Sequence, residues 1–460
     1  MAGMNATPSL PLDLLACPRT GEQLRHHPQG LTNQGGQVVF PLLDGVPALF
    51  AEPVATLGEW RDRLELLLVQ LGQHAQRLEQ NVEAPDLGAL GRARVERLHA
   101  ATVDHRDRLT ALLAPLALPR RNTATETHLA LRTRLPPEAS LVGYYANIHR
   151  DWVWGETENA ASLDLLAQVA ADCPLGRTLV IGAGAGRLAW DVHQTLAPET
   201  TLALDFNPML MLLLARLVRG ESIDLYEFPL APRRREDQAL LRHLAAPQPT
   251  RPGFHAIMGD ALRPPCAYGA FDTVITPWVI DILPEDPRLQ MARINNLLAP
   301  GGQWLNFGSL NFNFADPRLA FSLEETLELV EHHGFGPPKL TETELPYMCS
   351  PASRHGRREQ VVAFGARKRE EVDAPPRHKA LPDWLVTGRG AVPALPAFRQ
   401  QALASRIHVF MLELIDGRRS LKEMAGILEQ QKLMTQAEAE DSLRNFLIRL
   451  YQDSQHGRSY

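Results

Sequence analysis

The stretch TLVIGAGAGRLA, residues 178–189, decides the fold of this chain of 460 residues. A short apolar run rich in β-branched residues enters three alternating glycines and then an amphipathic segment, which predicts a strand, a tight turn and a helix. Glycines let the backbone pass close to a ligand, and the free N–H groups of the following helix face that ligand. The pattern therefore predicts a binding site where this strand ends.

The spacing of the glycines and a later acid narrow the kind of ligand. A dinucleotide fingerprint would place its third glycine at position 187, which is Arg187, so the pattern disfavours pyrophosphate binding. The next predicted strand ends in Asp205, about 20 residues after the glycine turn, where an acidic side chain can accept both hydroxyls of a ribose. We therefore expect a ligand that contains a ribose but no pyrophosphate.

The hydrophobic pattern divides the chain into five segments. Strands alternate with helices in the middle of the chain, which predicts an α/β domain with a parallel sheet of the Rossmann type. Short extended pieces precede it and helical periodicity follows it. The predicted segments are a small β-rich module at 1–52, a helical segment at 53–140, the α/β domain at 141–368, a linker at 369–398, and a helical or winged-helix module at 399–460.

The order of the short motifs resembles the class I S-adenosylmethionine-dependent methyltransferases. That class carries a glycine loop, an acid after the second strand, a Gly-Asp-Ala loop and a Pro-Gly-Gly turn, and this chain has the last two at 259–261 and 300–302. The resemblance implies a Rossmann-like methyltransferase domain with S-adenosyl-L-methionine as the methyl donor. By the same resemblance, the donor-binding residues would be Gly182, Gly184, Gly186, Asp205 and Asp260.

A narrower resemblance extends over roughly residues 144–368, which look like the carnosine N-methyltransferase family. The matching pieces include Arg-Asp-Trp at 150–152, Val-Ile-Asp at 279–281 and Trp-Leu-Asn-Phe-Gly-Ser-Leu at 304–310. The resemblance implies that Arg150 contacts the carboxylate of the donor. It also implies that Asp281 accepts a hydrogen bond from the imidazole N–H of the substrate and that Tyr347 forms part of the wall of the substrate site.

The chain departs from the family pattern at Asn313, where the family has a histidine. An amide can hydrogen-bond a substrate but cannot shuttle a proton at neutral pH. Any base would have to come from His149 or His355, although none is needed if the nucleophilic nitrogen arrives unprotonated. The predicted catalytic residues are Asp281, Asn313 and Tyr347, and Asp281 could instead be an ordinary helix cap.

Both ends of the chain carry weaker resemblances. Cys17-Pro18 and Phe-Pro-Leu-Leu-Asp-Gly-Val-Pro at 40–47 resemble the zinc-ribbon proteins that activate methyltransferases. Thr20 stands where the second cysteine would be, and one thiolate cannot complete a tetrahedral zinc site, so we expect no metal. Residues 415–421 resemble peptide-binding winged helices, which implies a peptide or protein partner for the C-terminal module.

Composition narrows which molecules the protein can bind and the cellular compartment in which we expect it. The net charge of −6 offers no attraction to nucleic acid or to an anionic membrane. The four cysteines have no metal-ligand or disulfide spacing, and no apolar run approaches the roughly 20 residues of a membrane span. The first residues also lack the pattern of a signal peptide. We therefore expect a cytoplasmic protein that takes a small molecule or a peptide.

These observations predict an N-methyltransferase that acts on an imidazole or another nitrogen of a small peptide-like or histidine-containing substrate. A methyltransferase of proteins or peptides is a second interpretation. A third is an inactive methyltransferase fold that regulates a partner, because the chain lacks the family histidine and the ligands of the ribbon.

Overall fold

A computed structural model describes residues 10–116, 147–314, 316–376 and 391–456. The chain divides into two compact units, Met1–Pro382 and Asp383–Tyr460. The predicted boundary at 140/141, the start of the narrower resemblance at 144 and the middle of the predicted linker lie outside the described residues.

The N-terminal module is an antiparallel sheet of four short strands in sequence order. These are β1 Leu24–His27, β2 Gly30–Asn33, β3 Val39–Leu43 and β4 Val46–Pro47. After β4 the chain runs alongside the central sheet: Ala48 pairs in parallel with Met258, and the Leu49 amide donates to the Met258 carbonyl at 2.8 Å. The β-rich module is thus confirmed, and a single bridge joins the chain after it to the border strand of the large sheet.

Two long helices follow, α1 Pro53–Val82 and α2 Ala89–Leu113, and they pack against each other. Buried leucines on both, including Leu64 and Leu109, belong to the same core as the central sheet. The helical segment therefore lies on the methyltransferase-like unit instead of forming a core of its own.

The central sheet has seven strands in the order β12-β13-β11-β10-β5-β6-β9. Its strands are β5 Arg177–Ile181, β6 Thr200–Asp205, β9 Phe254–Met258, β10 Phe271–Pro277, β11 Leu298–Gly308, β12 Lys339–Tyr347 and β13 Arg357–Arg367. A separate antiparallel hairpin, β7 Ile223–Glu227 and β8 Leu240–Leu244, is inserted before β9. Five strands are parallel as predicted, whereas β13 runs antiparallel to both of its neighbours.

The order of strands reverses at β5, because β6 lies on one side of it and β10 on the other. In open α/β sheets a ligand binds in the crevice beyond the carboxyl ends of the strands at such a reversal. The topology therefore places a site where β5 and β10 end.

Within the described residues, five further helices accompany the strands of the sheet: α3 Glu156–Val169, α4 Arg187–Thr195, α5 Pro208–Val218, α6 Pro287–Leu297 and α7 Leu323–His332. Short polar side chains cap the starts of α5, α6 and α7, whereas α3 and α4 begin at glycines. Asn207 accepts from the Met209 amide, and Ser322 forms a capping box with Glu325. A π-helical turn, Arg150–Trp154, precedes α3.

The C-terminal unit contains α8 Pro396–Glu413, α9 Leu421–Gln430 and α10 Gln436–His456. The capping box expected at Ser420 and Glu423 is present, with the Ser420 amide donating to Glu423 at 2.7 Å. Residues 391–456 include no strand, so the helical character is confirmed and a wing is not seen there. No helix within the described ranges is both long and apolar enough to cross a membrane.

We expect Gly365→Ala to destabilise the fold by about 2 kcal/mol or more, because overpacking a tight contact shifts the backbone. A Cβ at Gly365 in β13 would lie 2.1 Å from the Val169 carbonyl at the end of α3. Chemical denaturation measures the change. Gly58→Ala in α1 is the matched control, since a Cβ there meets nothing within 4 Å and alanine favours a helix. Equal stability of the two variants would contradict this account of the packing.

Candidate active site

The glycine loop lies between β5 and α4, at the reversal of strand order. Gly182, Gly184 and Gly186 all have positive φ, between 61° and 87°. A Cβ on Gly186 would lie 2.4 Å from the Leu214 side chain, so this glycine allows α4 to pack on α5. A Cβ on Gly184 would meet nothing within 4 Å, so the backbone there borders open space. The loop therefore forms a cradle that a ligand can fill.

The Asp205 carboxylate joins this loop to the end of β6. One carboxylate oxygen accepts from the Gly184 amide and the other from the Asn207 amide, both at 2.8 Å. Burial raises the pKa of Asp205 to about 6, although the backbone amides favour the charged form. A carboxylate has about four acceptor positions, so these amides leave it able to accept a further hydroxyl.

A cavity of about 510 Å³ opens beside the loop. Six of the predicted site residues line it: Arg150, Gly182, Gly184, Asp205, Asp260 and Tyr347. Asp260 also accepts from the Leu262 amide at 2.8 Å, which fixes its carboxylate at the end of β9. The open space at the glycine loop and the two strand-end acids fit an adenosine-type donor.

The Arg-Asp-Trp turn holds the glycine loop from the other side. The Trp152 indole N–H donates to the Ala185 carbonyl at 2.8 Å. The Asp151 carboxylate accepts from the Arg187 amide at 3.4 Å, and the Arg187 guanidinium lies over the rings of both Trp152 and Trp190, 5.7 and 5.6 Å from their centroids. The family resemblance singled out this motif, and the structure shows that its side chains hold the glycine loop in place through Ala185 and Arg187.

The Arg150 guanidinium is already engaged within the chain. It donates to Asp151 at 2.8 Å and to Glu158 at 3.2 Å, and it lies over the Tyr347 ring at 5.7 Å from the centroid. The two carboxylates raise the pKa of Arg150 and keep it cationic against the effect of burial. A donor carboxylate bound to Arg150 would share the guanidinium with Asp151 and Glu158. The contact between Arg150 and the donor therefore stays a prediction.

Three aromatic side chains form one wall of the cavity. Trp278 lies 4.9 Å from Tyr347 and 5.6 Å from Phe307 between ring centroids. Trp278 has φ of 52°, a conformation that non-glycine residues rarely adopt and that clusters at functional sites. Trp278 lines the cavity, so this strained residue belongs to the wall.

Two of the predicted catalytic residues do not line the cavity. Asp281 is buried, and it accepts from the Asn311 amide at 2.8 Å and from the Ser309 hydroxyl at 3.4 Å. Its interpretation as a helix cap is wrong, because Asp286 caps α6. Asn313 is exposed on the loop after β11. The catalytic roles of both residues stay predictions.

Neither candidate base lies in the cavity lining. His149 is buried, its Nε2 lies 3.1 Å from the Tyr226 carbonyl, and burial lowers its pKa to about 4. His355 is exposed between β12 and β13. Among the described residues that line the cavity there is no histidine.

Trp60 is a lining residue that sequence reasoning missed. It comes from α1, and its ring centroid lies 5.7 Å from that of Phe206, the residue after Asp205. Phe50 contacts the same phenyl ring at 5.6 Å. No local sequence pattern predicts this contact, because Trp60 and Phe206 are far apart in the chain.

A doubly wound sheet with this strand order, a glycine loop and an acid at the reversal form the fold of a class I S-adenosyl-L-methionine-dependent methyltransferase. Residues 147–370, just under half of the chain, match the family model of carnosine N-methyltransferase. The match confirms the resemblance to that family. No curated protein matches the chain significantly.

Solved structures of methyltransferases also align with the chain, at low identity. An N-methyltransferase of Bradyrhizobium japonicum in complex with S-adenosyl-L-homocysteine is 15% identical, with a TM-score of 0.31 over 49% of this chain and 99% of that one. Phosphoethanolamine N-methyltransferase 2 of Haemonchus contortus, with S-adenosyl-L-methionine, is 14% identical, with a TM-score of 0.33 over 55% and 62%. A chain from the complex of a Haloferax volcanii methyltransferase activator with a methyltransferase is 11% identical, with a TM-score of 0.32 over 49% and 96%.

We expect the affinity for S-adenosyl-L-methionine to fall as the pH drops below about 6. The pKa of Asp205 is raised from 3.8 to about 6, so below that pH the group is protonated and accepts the ribose hydroxyls less well. Calorimetric titration across pH 5 to 8 measures the effect. Asp205→Asn should bind weakly and lose this pH dependence, and an unchanged profile in that variant would rule out Asp205 as its source.

Proposed function

We propose that the chain transfers a methyl group from S-adenosyl-L-methionine to a nitrogen of a small, peptide-like or histidine-containing acceptor. One observation carries the proposal: a single cavity joins the glycine loop, Asp205 and Asp260 on one side to the wall of Trp278, Phe307 and Tyr347 on the other. The match of residues 147–370 to the carnosine N-methyltransferase family supports an imidazole as the acceptor group.

The charge of the lining suits a cationic donor. Four acids line the cavity, Asp151, Glu158, Asp205 and Asp260, whereas among the described lining residues only Arg150 is a permanent cation. Bound S-adenosyl-L-methionine supplies an electrophilic methyl group on a positively charged sulfur. Acids in a partly enclosed site stabilise that charge more strongly than water-exposed acids would.

The aromatic wall suits a planar acceptor ring. Trp278 and Tyr347 present faces and edges against which an imidazole can be held in one orientation. Holding a lone pair in line with a methyl group contributes much of the rate of such a displacement. The displacement needs a free lone pair, so the attacking nitrogen of the imidazole must be unprotonated, and the methylated imidazolium then loses the proton of its other nitrogen to solvent.

Asp281 contributes through the loop that follows β11. Its carboxylate fixes Ser309 and Asn311, directly after Phe307 of the aromatic wall. Val279 and Ile282, on either side of it in the chain, line the cavity. Asp281 therefore shapes the acceptor side of the cavity, and a direct bond from its carboxylate to the acceptor would require this loop to move.

We expect Asp281→Ala to lower kcat/KM by about tenfold or more, the usual effect of losing a hydrogen bond to a charged group. Donor affinity should change little, because the Asp281 carboxylate bonds to Ser309 and Asn311 on the loop after β11, away from the glycine loop. Steady-state kinetics and donor calorimetry measure the two effects. The control is Asp286→Ala, which removes the cap of α6 and should affect stability alone. Equal loss of donor affinity and turnover in Asp281→Ala would contradict an acceptor-side role.

The function itself is tested with isotopically labelled S-adenosyl-L-methionine. We expect label in carnosine or in another histidine-containing dipeptide when the purified protein is supplied with a panel of such compounds. Label in proteins of a cell extract, with none in the dipeptides, would replace a small acceptor by a macromolecular one. Calorimetric binding of the donor with no transfer to any acceptor would favour the inactive, regulatory fold.

A further inference from the structure

Glu158 bridges two parts of the chain that meet only through folding. One of its carboxylate oxygens accepts from Arg150 Nη1 at 3.2 Å and the other from the Met348 amide at 3.1 Å. Its side chain is only 11% exposed and lines the cavity. The bridge therefore connects the start of α3 to the turn that follows β12.

Tyr347 of the aromatic wall is the last residue of β12, directly before the turn that Glu158 holds. Met348 has φ of 54°, so the backbone is held in a strained conformation directly after the tyrosine. The Tyr347 ring contacts Trp278 at 4.9 Å, and both Arg150 and Arg357 lie over it. Glu158 thus acts on this ring by two routes, through the Met348 backbone and through the guanidinium of Arg150.

Both oxygens of Glu158 serve as acceptors inside the protein. Burial raises its pKa, while the charge of Arg150 and the Met348 amide oppose that effect. An ion pair at such a partly buried position costs desolvation, and removal of one partner leaves the other unsatisfied. The arrangement is that of a group that holds its neighbours in place.

We propose that Glu158 is a positioning residue that fixes the Tyr347–Met348 turn as the acceptor side of the cavity and ties it to Arg150 on the donor side. The inference rests on the proposed function and names a residue to which the family resemblance assigns no role.

The test compares Glu158→Ala, Glu158→Gln and the matched control Glu156→Gln. Glu156 lies in the same first turn of α3, but its side chain is 80% exposed and pairs with Arg187. Hydrogen exchange of the peptide containing Met348 reports the turn directly. We expect exchange about tenfold faster in Glu158→Ala, an intermediate rate in Glu158→Gln, which retains one acceptor oxygen, and the wild-type rate in the control.

Kinetics with carnosine as the acceptor probe add a second measurement. We expect the KM for carnosine to rise about tenfold in Glu158→Ala and less in Glu158→Gln. The calorimetric Kd for S-adenosyl-L-methionine should rise less than this KM, because Asp151, Asp205 and Asp260 still line the cavity. Wild-type exchange at the Met348 peptide in both Glu158 variants would overturn the proposal. So would equal effects of Glu156→Gln, or a donor Kd that rises as much as the KM.

These experiments distinguish a failure of the proposed function from a failure of the inference about Glu158. If the wild type binds the donor but methylates no acceptor, the proposed function is wrong, and the exchange rates still decide the role of Glu158. If Glu158→Ala does not fold, the exchange and the donor Kd of Glu158→Gln decide it, because the conservative variant keeps the size and one acceptor of the side chain.

Discussion

The hydrogen bond from the Gly184 amide to the Asp205 carboxylate is the contact on which the rest of the site depends. It ties the turn after β5 to the end of β6, so the two central strands close one side of the cavity together. A buried carboxylate is costly unless hydrogen bonds satisfy it, and here two backbone amides do so. Trp152 secures the opposite side of the same turn through the Ala185 carbonyl, which leaves the loop little freedom.

The sequence predicted well which residues meet around the glycine loop, because the relevant signals are local. The glycines, Asp205 and Asp260 stand at strand ends, and parallel strands bring their carboxyl ends to one edge of the sheet. The antiparallel direction of β13 was not predicted, since periodicity records burial and not strand direction. Helix caps such as that at Ser420 were readable from residue type and spacing alone.

The acceptor side was predicted less well, because its residues come together through distant contacts. Trp60 reaches the cavity from α1, outside the segment that carries the family resemblance. Asp281 holds a loop instead of lining the cavity, and Asn313 is exposed. Motif matching can name positions that matter in a family, but it does not tell whether a side chain touches the ligand or supports a neighbour that does.

The pairing of Ala48 and Leu49 with Met258 also determines how the sheet ends. A strand at the border of a sheet exposes a ladder of unpaired amides and carbonyls, which is a template for aggregation or for another chain. In this protein the chain after the N-terminal module occupies one end of that ladder, because Ala48 bridges Met258 and the Leu49 amide donates to the Met258 carbonyl. A separate chain could pair with Met258 only by displacing this segment, which is already tethered beside it. The module thus blocks the addition of a strand at the carboxyl end of β9.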